Sequence, residues 1–167
     1  MFPRERSAPT VSRVTVTLRE ITEDDAEAVR ALRVAPGQER FVSSVAESLA
    51  EADRTPQGNP WFRAVHADGR PVGFVMLSWD VEPQPPDISG PWFLWKLLID
   101  QDHQRKGYGT ETLRQVVDLV RRHGGTELLT SYVPGEGGPA GFYAGLGFVP
   151  TGDVDPEGEI LLRLPLA

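Results

Sequence analysis

At 167 residues and 18.4 kDa the chain has room for one domain of ordinary size, and 40% hydrophobic residues suffice for a real core, so a second catalytic domain is excluded. The absence of cysteine removes disulfides, thiolate nucleophiles and cysteine-held zinc or iron–sulfur centres. With 17 basic against 24 acidic side chains the net charge is −7, which disfavours nucleic acid as a partner and suits a cationic small molecule.

Residues 1–13 place Pro3, Ser7, Pro9 and Ser12 among charges and predict a flexible arm ahead of a single domain over 14–167. They lack the apolar stretch of a secretory signal, and no apolar run approaches the roughly 20 residues that span a bilayer. A cytoplasmic protein without a membrane partner is expected. Val14, Val16 and Leu18 alternate with polar neighbours, the period of a half-buried strand. Thr22 and Asp25, in an acidic first turn, predict a capped helix over 23–34. Pro36-Gly37 breaks it, and Phe41, Val42, Val45 and Leu49 then fall at helical spacing, predicting a second helix as far as Ala52.

Strands are predicted over 61–66 and 72–79, joined by a hairpin at Asp68-Gly69. The proline-rich segment 81–90 reads as a loop, and 92–99 is a nearly continuous apolar run of the kind a central strand needs. A polar, glycine-punctuated stretch over 100–109 opens a helix whose Leu113, Val116, Val117 and Val120 share one face and which Gly124-Gly125 ends. A strand over 127–132, a short helix over 139–146 and closing strands at 148–149 and 159–164 complete an α/β order of β, α, α, β, β, β, α, β, α, β, β.

The sharpest motif is Gln104, Arg105, Lys106, Gly107, Tyr108, Gly109 and Thr110, set between the buried strand and the helix. Glycines let a ligand approach the backbone, and amides at a helix start, reinforced by Arg105 and Lys106, suit a pyrophosphate. The G-K-[ST] ending of a Walker loop and the third glycine of a dinucleotide fold are both missing. On these residues alone, a phosphate cradle and a plain turn into a helix both stay open.

Q-x-x-G-x-G after Leu97-Leu98-Ile99 resembles the acetyl-CoA-binding motif of the GNAT superfamily of N-acetyltransferases, and residues 142–148, ending Gly147-Phe148, resemble its short fourth helix. The element order agrees with that fold over 14–164. Within the superfamily, Leu18-Arg19-Glu20, Phe41-Val42-Ser43-Ser44, Val72-Gly73-Phe74, Ser131-Tyr132 with Pro134, and Gly158-Glu159-Ile160 are similar to stretches of the bacterial spermine/spermidine-type branch.

The resemblance implies a GNAT acyltransferase fold, a mixed and mostly antiparallel splayed sheet flanked by helices. It implies acetyl-CoA as cosubstrate, held by Leu98, Ile99, Gln104, Arg105, Lys106, Gly107, Tyr108, Gly109, Thr110 and Tyr143, with Tyr143 as general acid toward the departing thiolate. Where many relatives carry a basic carboxylate, this chain has Trp95 and Lys96. Glu136, at a position where the family often has a cofactor-contacting asparagine, is the candidate base, and a water chain to solvent without a dedicated base is the preferred route.

The implied acceptor is a small amine, a polyamine first and an aminoglycoside or peptide-type antibiotic second. A protein amine comes third. Glu39, Asp80 and Glu82, with Glu47 and Asp87 nearby, are the candidate acids for a cationic acceptor, and Trp95 offers it an aromatic face. Rival readings are a non-catalytic acyl-CoA-binding sensor on the same fold and a module whose glycine loop binds nothing. A homodimer is a state the resemblance allows. His66, His103 and His123 share no metal-ligand spacing, so no metal is expected.

Overall fold

The computed structural model describes residues 14–166, and the expected arm over 1–13 lies outside them. Among the described residues, seven strands form one sheet: β1 (Thr17–Arg19), β2 (Pro60–Ala67), β3 (Arg70–Ser78), β4 (Phe93–Ile99), β5 (Glu127–Tyr132), β6 (Val149–Val154) and β7 (Ile160–Pro165). They lie in the order β1-β2-β3-β4-β5-β7-β6. Every neighbouring pair is antiparallel except β4 with β5. Helices α1 (Ala26–Arg30) and α2 (Val45–Arg54) precede β2, α3 (Tyr108–Arg122) joins β4 to β5, and α4 (Ala140–Gly145) joins β5 to β6. This is the expected element order, and no helix among the described residues is long and apolar enough to cross a membrane.

Strand alternation divides the core between two faces. Val65, Val75, Leu77, Leu94, Leu128 and Leu162 meet Leu113, Val116 and Val120 of α3 together with Tyr143 and Phe148. On the other face Ala64, Phe74, Met76 and Leu98 meet Val29, Leu32, Val45 and Ala52. Each large apolar side chain fully buried in this way contributes about 1.5–3 kcal/mol. The β2–β3 hairpin turns at Asp68 (φ +50°) and Gly69 (φ +77°), two left-handed residues as a two-residue turn of the expected kind requires.

Three boundaries depart from expectation. α1 is short because the main chain of Arg33 leaves the helix for tertiary partners: its N–H donates to Asp100 Oδ1 (2.9 Å) and its carbonyl accepts from Gln101 N–H (2.7 Å). Half of the expected capping box is present, with the Thr22 amide donating to the Asp25 carboxylate (2.7 Å). α2 begins after Phe41 and Val42, since Ser44 and Glu47 close a reciprocal capping box there, so the apolar period runs across a helix start. β6 extends to Val154 although all six of its residues are exposed, and it pairs with β7 only at Val149, Pro150 and Val154. With no buried face it carries no period to read.

Candidate active site

Strands β4 and β5 pair only at Phe93 with Leu129 and Leu94 with Thr130, and then separate. The register against β3 passes from Leu77–Leu94 to Met76–Lys96, leaving Trp95 as an inserted residue, a β-bulge at the point of separation. Before the bulge, the Trp92 and Leu94 carbonyls face β5 and accept from Leu129 N–H and Thr130 Oγ1, each at 2.9 Å. Beyond it the Asp100 N–H donates to Val72 O on β3 (2.8 Å). Alternation then turns the Leu97 and Ile99 amides away from β3, into the gap. The bulge also lets two consecutive side chains reach one carboxylate: Trp95 Nε1–H and Lys96 Nζ each stand 3.1 Å from Glu51.

The gap opens into a cleft of about 760 Å³. Leu98, Ile99, Gln104, Arg105, Gly107, Tyr108, Gly109, Thr110 and Tyr143 all line it, as do Glu39 and Trp95. Lys106 does not; it is exposed on the outer side of the loop. Arg105 (φ +62°) and Gly107 (φ +82°) are left-handed, and Gly107 is the N-cap of α3. The first amides of this 15-residue helix have no intrahelical acceptor and carry the positive end of its dipole. A Cβ at Gly109 would stand 3.3 Å from the Phe142 ring and 3.7 Å from Ile99 Cγ1, so the floor there is narrow. The motif glutamine serves the scaffold: Gln104 Nε2 donates to Ile99 O (3.0 Å) and Gln38 Oε1 (2.8 Å).

The connection between α1 and α2 arches over both lips of the gap. Gln38 holds the β4–α3 loop through Gln104, while Arg40 donates to the Glu136 carbonyl and Phe41 packs against Gly135 and Gly138. Glu136 itself is exposed and outside the cleft wall, held there by its main chain. Glu39 accepts from the Gly37 N–H (2.8 Å), and Glu47 caps α2.

Tyr143 enters from α4 and is buried between Phe142 and Phe148, with ring centroids 5.4 and 5.3 Å away. Burial pushes its phenol up to about 12, the Thr130 hydroxyl beside it pulls slightly the other way, and the Glu159 charge adds to the rise. A phenol so placed keeps its proton across the physiological range and rests as a donor.

A second cleft, about 390 Å³, shares the wall formed by Glu51, Trp95, Lys96, Ser131, Glu157 and Glu159. Its acids are Glu51, Asp87, Asp155, Glu157 and Glu159, against the single ammonium of Lys96. The β6–β7 turn is organised by Asp155, whose Oδ1 accepts from the Glu157 and Glu159 amides, each at 2.9 Å. The three carboxylates of that turn bring oxygens within 4.8 Å of one another. Burial raises the Glu159 carboxyl above its usual range, Asp155 and Glu157 raise it further, and Lys96 opposes them.

Of the acids expected here, Asp87 lines the wall, whereas Asp80 and Glu82 are exposed and line neither cleft, because the loop that carries them turns outward before β4. Glu51, Asp155, Glu157 and Glu159 were not legible as site residues. The signals were an Asp-x-x-Gly turn ahead of a strand, which marks a turn and not a site, and the branch-like stretch Gly158-Glu159-Ile160, which assigned no role to its acid. Among the histidines, His103 lines the larger cleft, His66 pairs with Asp25 (3.1 Å), and His123 meets Leu119 O (2.8 Å) at the end of α3.

A splayed parallel strand pair whose Leu97 and Ile99 amides face the gap, between a helix N-terminus and a buried phenol and beside an acidic second cleft, suits acyl transfer. The residues present suit a CoA thioester: the α3 N-terminus and Arg105 would hold the pyrophosphate, and the Leu97 and Ile99 amides would face the thioester end of the pantetheine arm. The profile of the acetyltransferase (GNAT) family matches residues 19–148, and the chain belongs to that family. It is an acetyl-CoA-dependent N-acetyltransferase.

The L-2,4-diaminobutyric acid acetyltransferase of Nocardia farcinica is 34% identical over 67 residues, a match that covers 40% of this chain and 32% of that one. The spermine/spermidine N(1)-acetyltransferase of Bacillus subtilis is 23% identical over 147 residues, 87% of this chain and 95% of that one. In fold, an N-acetyltransferase from Thermoplasma acidophilum in complex with coenzyme A superposes with a TM-score of 0.58 at 16% identity, covering 90% of this chain and 99% of that one.

Proposed function

We propose that the protein moves an acetyl group from acetyl-CoA to a primary amine of a small polycation, most simply a polyamine such as spermidine or spermine. The observation that carries this is the second cleft: five carboxylates stand against one ammonium, and that ammonium is already paired with Glu51. A cation about 4 Å from one carboxylate gains about 4 kcal/mol at an effective dielectric constant of about 20, before the cost of desolvation. Several such carboxylates favour an acceptor with several spaced charges. The similarity to the spermine/spermidine enzyme over most of both chains supports the same class.

The neutral amine attacks the thioester carbonyl, a C–N bond forms and the C–S bond breaks. Acetyl-CoA supplies the activated acyl group and a thiolate leaving group. Tyr143, protonated and lining the gap, donates to the sulfur as charge develops there. The Leu97 and Ile99 amides are the donors available to the carbonyl oxygen.

The test is release of CoA thiol by the full chain with acetyl-CoA and a panel of spermidine, spermine, several aminoglycosides, L-2,4-diaminobutyrate and a lysine peptide. Turnover highest on spermidine or spermine is expected. Preference for an aminoglycoside would keep the polycation and replace the polyamine, preference for diaminobutyrate or the peptide would overturn the acceptor class, and a CoA-dependent thermal shift without any turnover would favour the sensor.

A further inference from the structure

The two faces of the sheet meet at the β4–β5 gap and bring different groups to it. Ile160, Leu162 and Leu164 of β7 pack into the α3–α4 core, so by alternation Glu159 and Leu161 project to the opposite face, where both line the acceptor cleft. Tyr143 approaches from the core face. Glu159 nonetheless lines the CoA cleft as well, one residue beyond the last β5–β7 pair, Tyr132 with Ile160. It is near enough to Tyr143 to hold the phenolic proton more tightly and near enough to Lys96 to be stabilised as a carboxylate. The acid of the site and Glu159 therefore stand on opposite sides of one opening.

The other carboxylates of the wall are engaged or more open to solvent than Glu159. Glu51 takes Trp95 and Lys96, Asp155 takes two backbone amides, and Asp87 and Glu157 are exposed.

We propose that the Glu159 carboxylate is the proton acceptor for the substrate ammonium, working from the acceptor face while Tyr143 serves the sulfur from the other. The inference rests on the acetyl-transfer reading and holds for whichever amine the enzyme prefers. Glu159 takes one proton from R–NH3+, leaving R–NH2 and a carboxylic acid. The nitrogen lone pair forms the C–N bond at the carbonyl carbon, and the C–S electron pair leaves with sulfur, which takes its proton from Tyr143. The second proton lost by nitrogen restores Tyr143, and Glu159 returns its own to solvent. The sum is R–NH3+ plus acetyl-CoA giving the acetamide, CoA thiol and one proton.

An ammonium of pKa about 10.4 holds its proton far more tightly than an ordinary carboxylate does. Burial and the flanking Asp155 and Glu157 narrow that difference, and Lys96, facing Glu159 from β4, keeps it from closing. Tyr143 is the fourth titratable group coupled to Glu159.

The experiment is the pH profile of kcat/KM for the wild type, Glu159→Gln, Glu159→Asp and Glu157→Gln, with the best amine of the panel. Glu159→Gln should fold with an unchanged KM for acetyl-CoA and lose about 10²-fold or more in kcat at pH 7. Its profile should lack the acid-side bend and climb about tenfold per pH unit, following the free amine, so that the deficit shrinks at high pH. Glu159→Asp should recover part of the rate with the bend present, and Glu157→Gln should keep the bend. Should Glu159→Gln fail to fold, an acid-side bend in Glu159→Asp displaced from that of the wild type is expected, and an undisplaced one overturns the proposal. Glu159→Gln with full kcat and only a raised amine KM, or a deficit constant with pH, likewise overturns it while leaving the acetyl-transfer reading intact. A wild type that acetylates no amine at all overturns that reading, and this inference with it.

Discussion

The two ends of the active-site opening are built in different ways. The proposed CoA end is largely backbone: the left-handed Arg105 and Gly107, the amides that start α3, and the amides of Leu97 and Ile99 that the Trp95 bulge turns into the gap. The proposed acceptor end is side chains, contributed by α2, the loop before β4, β4 itself and the β6–β7 turn. A backbone site requires a contiguous stretch of permissive residues and suits one invariant ligand. A side-chain wall draws on distant segments and can change acceptor without disturbing the fold, so the acyl-donor chemistry is tied to the scaffold while specificity is free to move.

Variants at the two ends should separate accordingly. The largest effect belongs to the group between them: Tyr143→Phe should lower kcat by about 10²–10⁴-fold with little change in the KM for acetyl-CoA. In the wild type no loss of rate should be assignable to this phenol on the alkaline side until the pH nears its value of about 12, since only the protonated form donates. Steady-state kinetics across pH check both statements, and a fully active Tyr143→Phe would remove the assigned acid.

At the backbone end, Gly109→Val should weaken acetyl-CoA binding roughly tenfold or more, about 1.4 kcal/mol, by filling the narrow floor beside Phe142. Isothermal titration with CoA measures it. Amine KM in the residual activity should change less.

At the side-chain end, Asp87→Asn with Glu157→Gln should raise the KM for a polycation several-fold while sparing acetyl-CoA. The loss should shrink at high salt, where the Debye length falls from about 10 Å at 0.1 M to about 3 Å at 1 M. Equal damage to a monoamine would show that these acids do not count charges.

The smallest effect is on stability and lies away from both ends. Burial alone would raise the Asp25 carboxyl, but hydrogen bonds from the Thr22 amide and His66 outweigh it and hold the group below its usual range. A lowered folded-state value contributes stability above the unfolded value of about 3.9, lost as the pH falls through the folded one. Asp25→Asn should cost about 1 kcal/mol in urea melts at pH 7, a difference that narrows in strong acid, with kinetics unchanged.

What the sequence disclosed follows the same division. The glycine loop, the apolar strand before it and the α3 face are local patterns, so the element order and the loop's place between β4 and α3 were legible in advance, while its reading as a CoA site came from the family resemblance. The helix boundaries at Arg33 and Phe41 were not, because a tertiary hydrogen bond ended one and a cap delayed the other inside an unbroken apolar period. The acids of the acceptor wall were least legible. Asp80 and Glu82 looked well placed by loop position, but which way a loop turns is decided by packing, and Glu159 acquires its meaning only from the register that pairs Ile160 with Tyr132 and so sets Glu159 just beyond the end of β5.

The shared wall between the two clefts has a kinetic consequence. With acetyl-CoA in the larger cleft and the amine in the smaller, as proposed, the reacting atoms meet at the common boundary, both substrates can be present at once, and no side chain need carry the acetyl group from one to the other. Initial rates measured against one substrate at several fixed levels of the other should give intersecting reciprocal plots, the signature of a ternary complex, where a shuttled acyl-enzyme would give parallel ones.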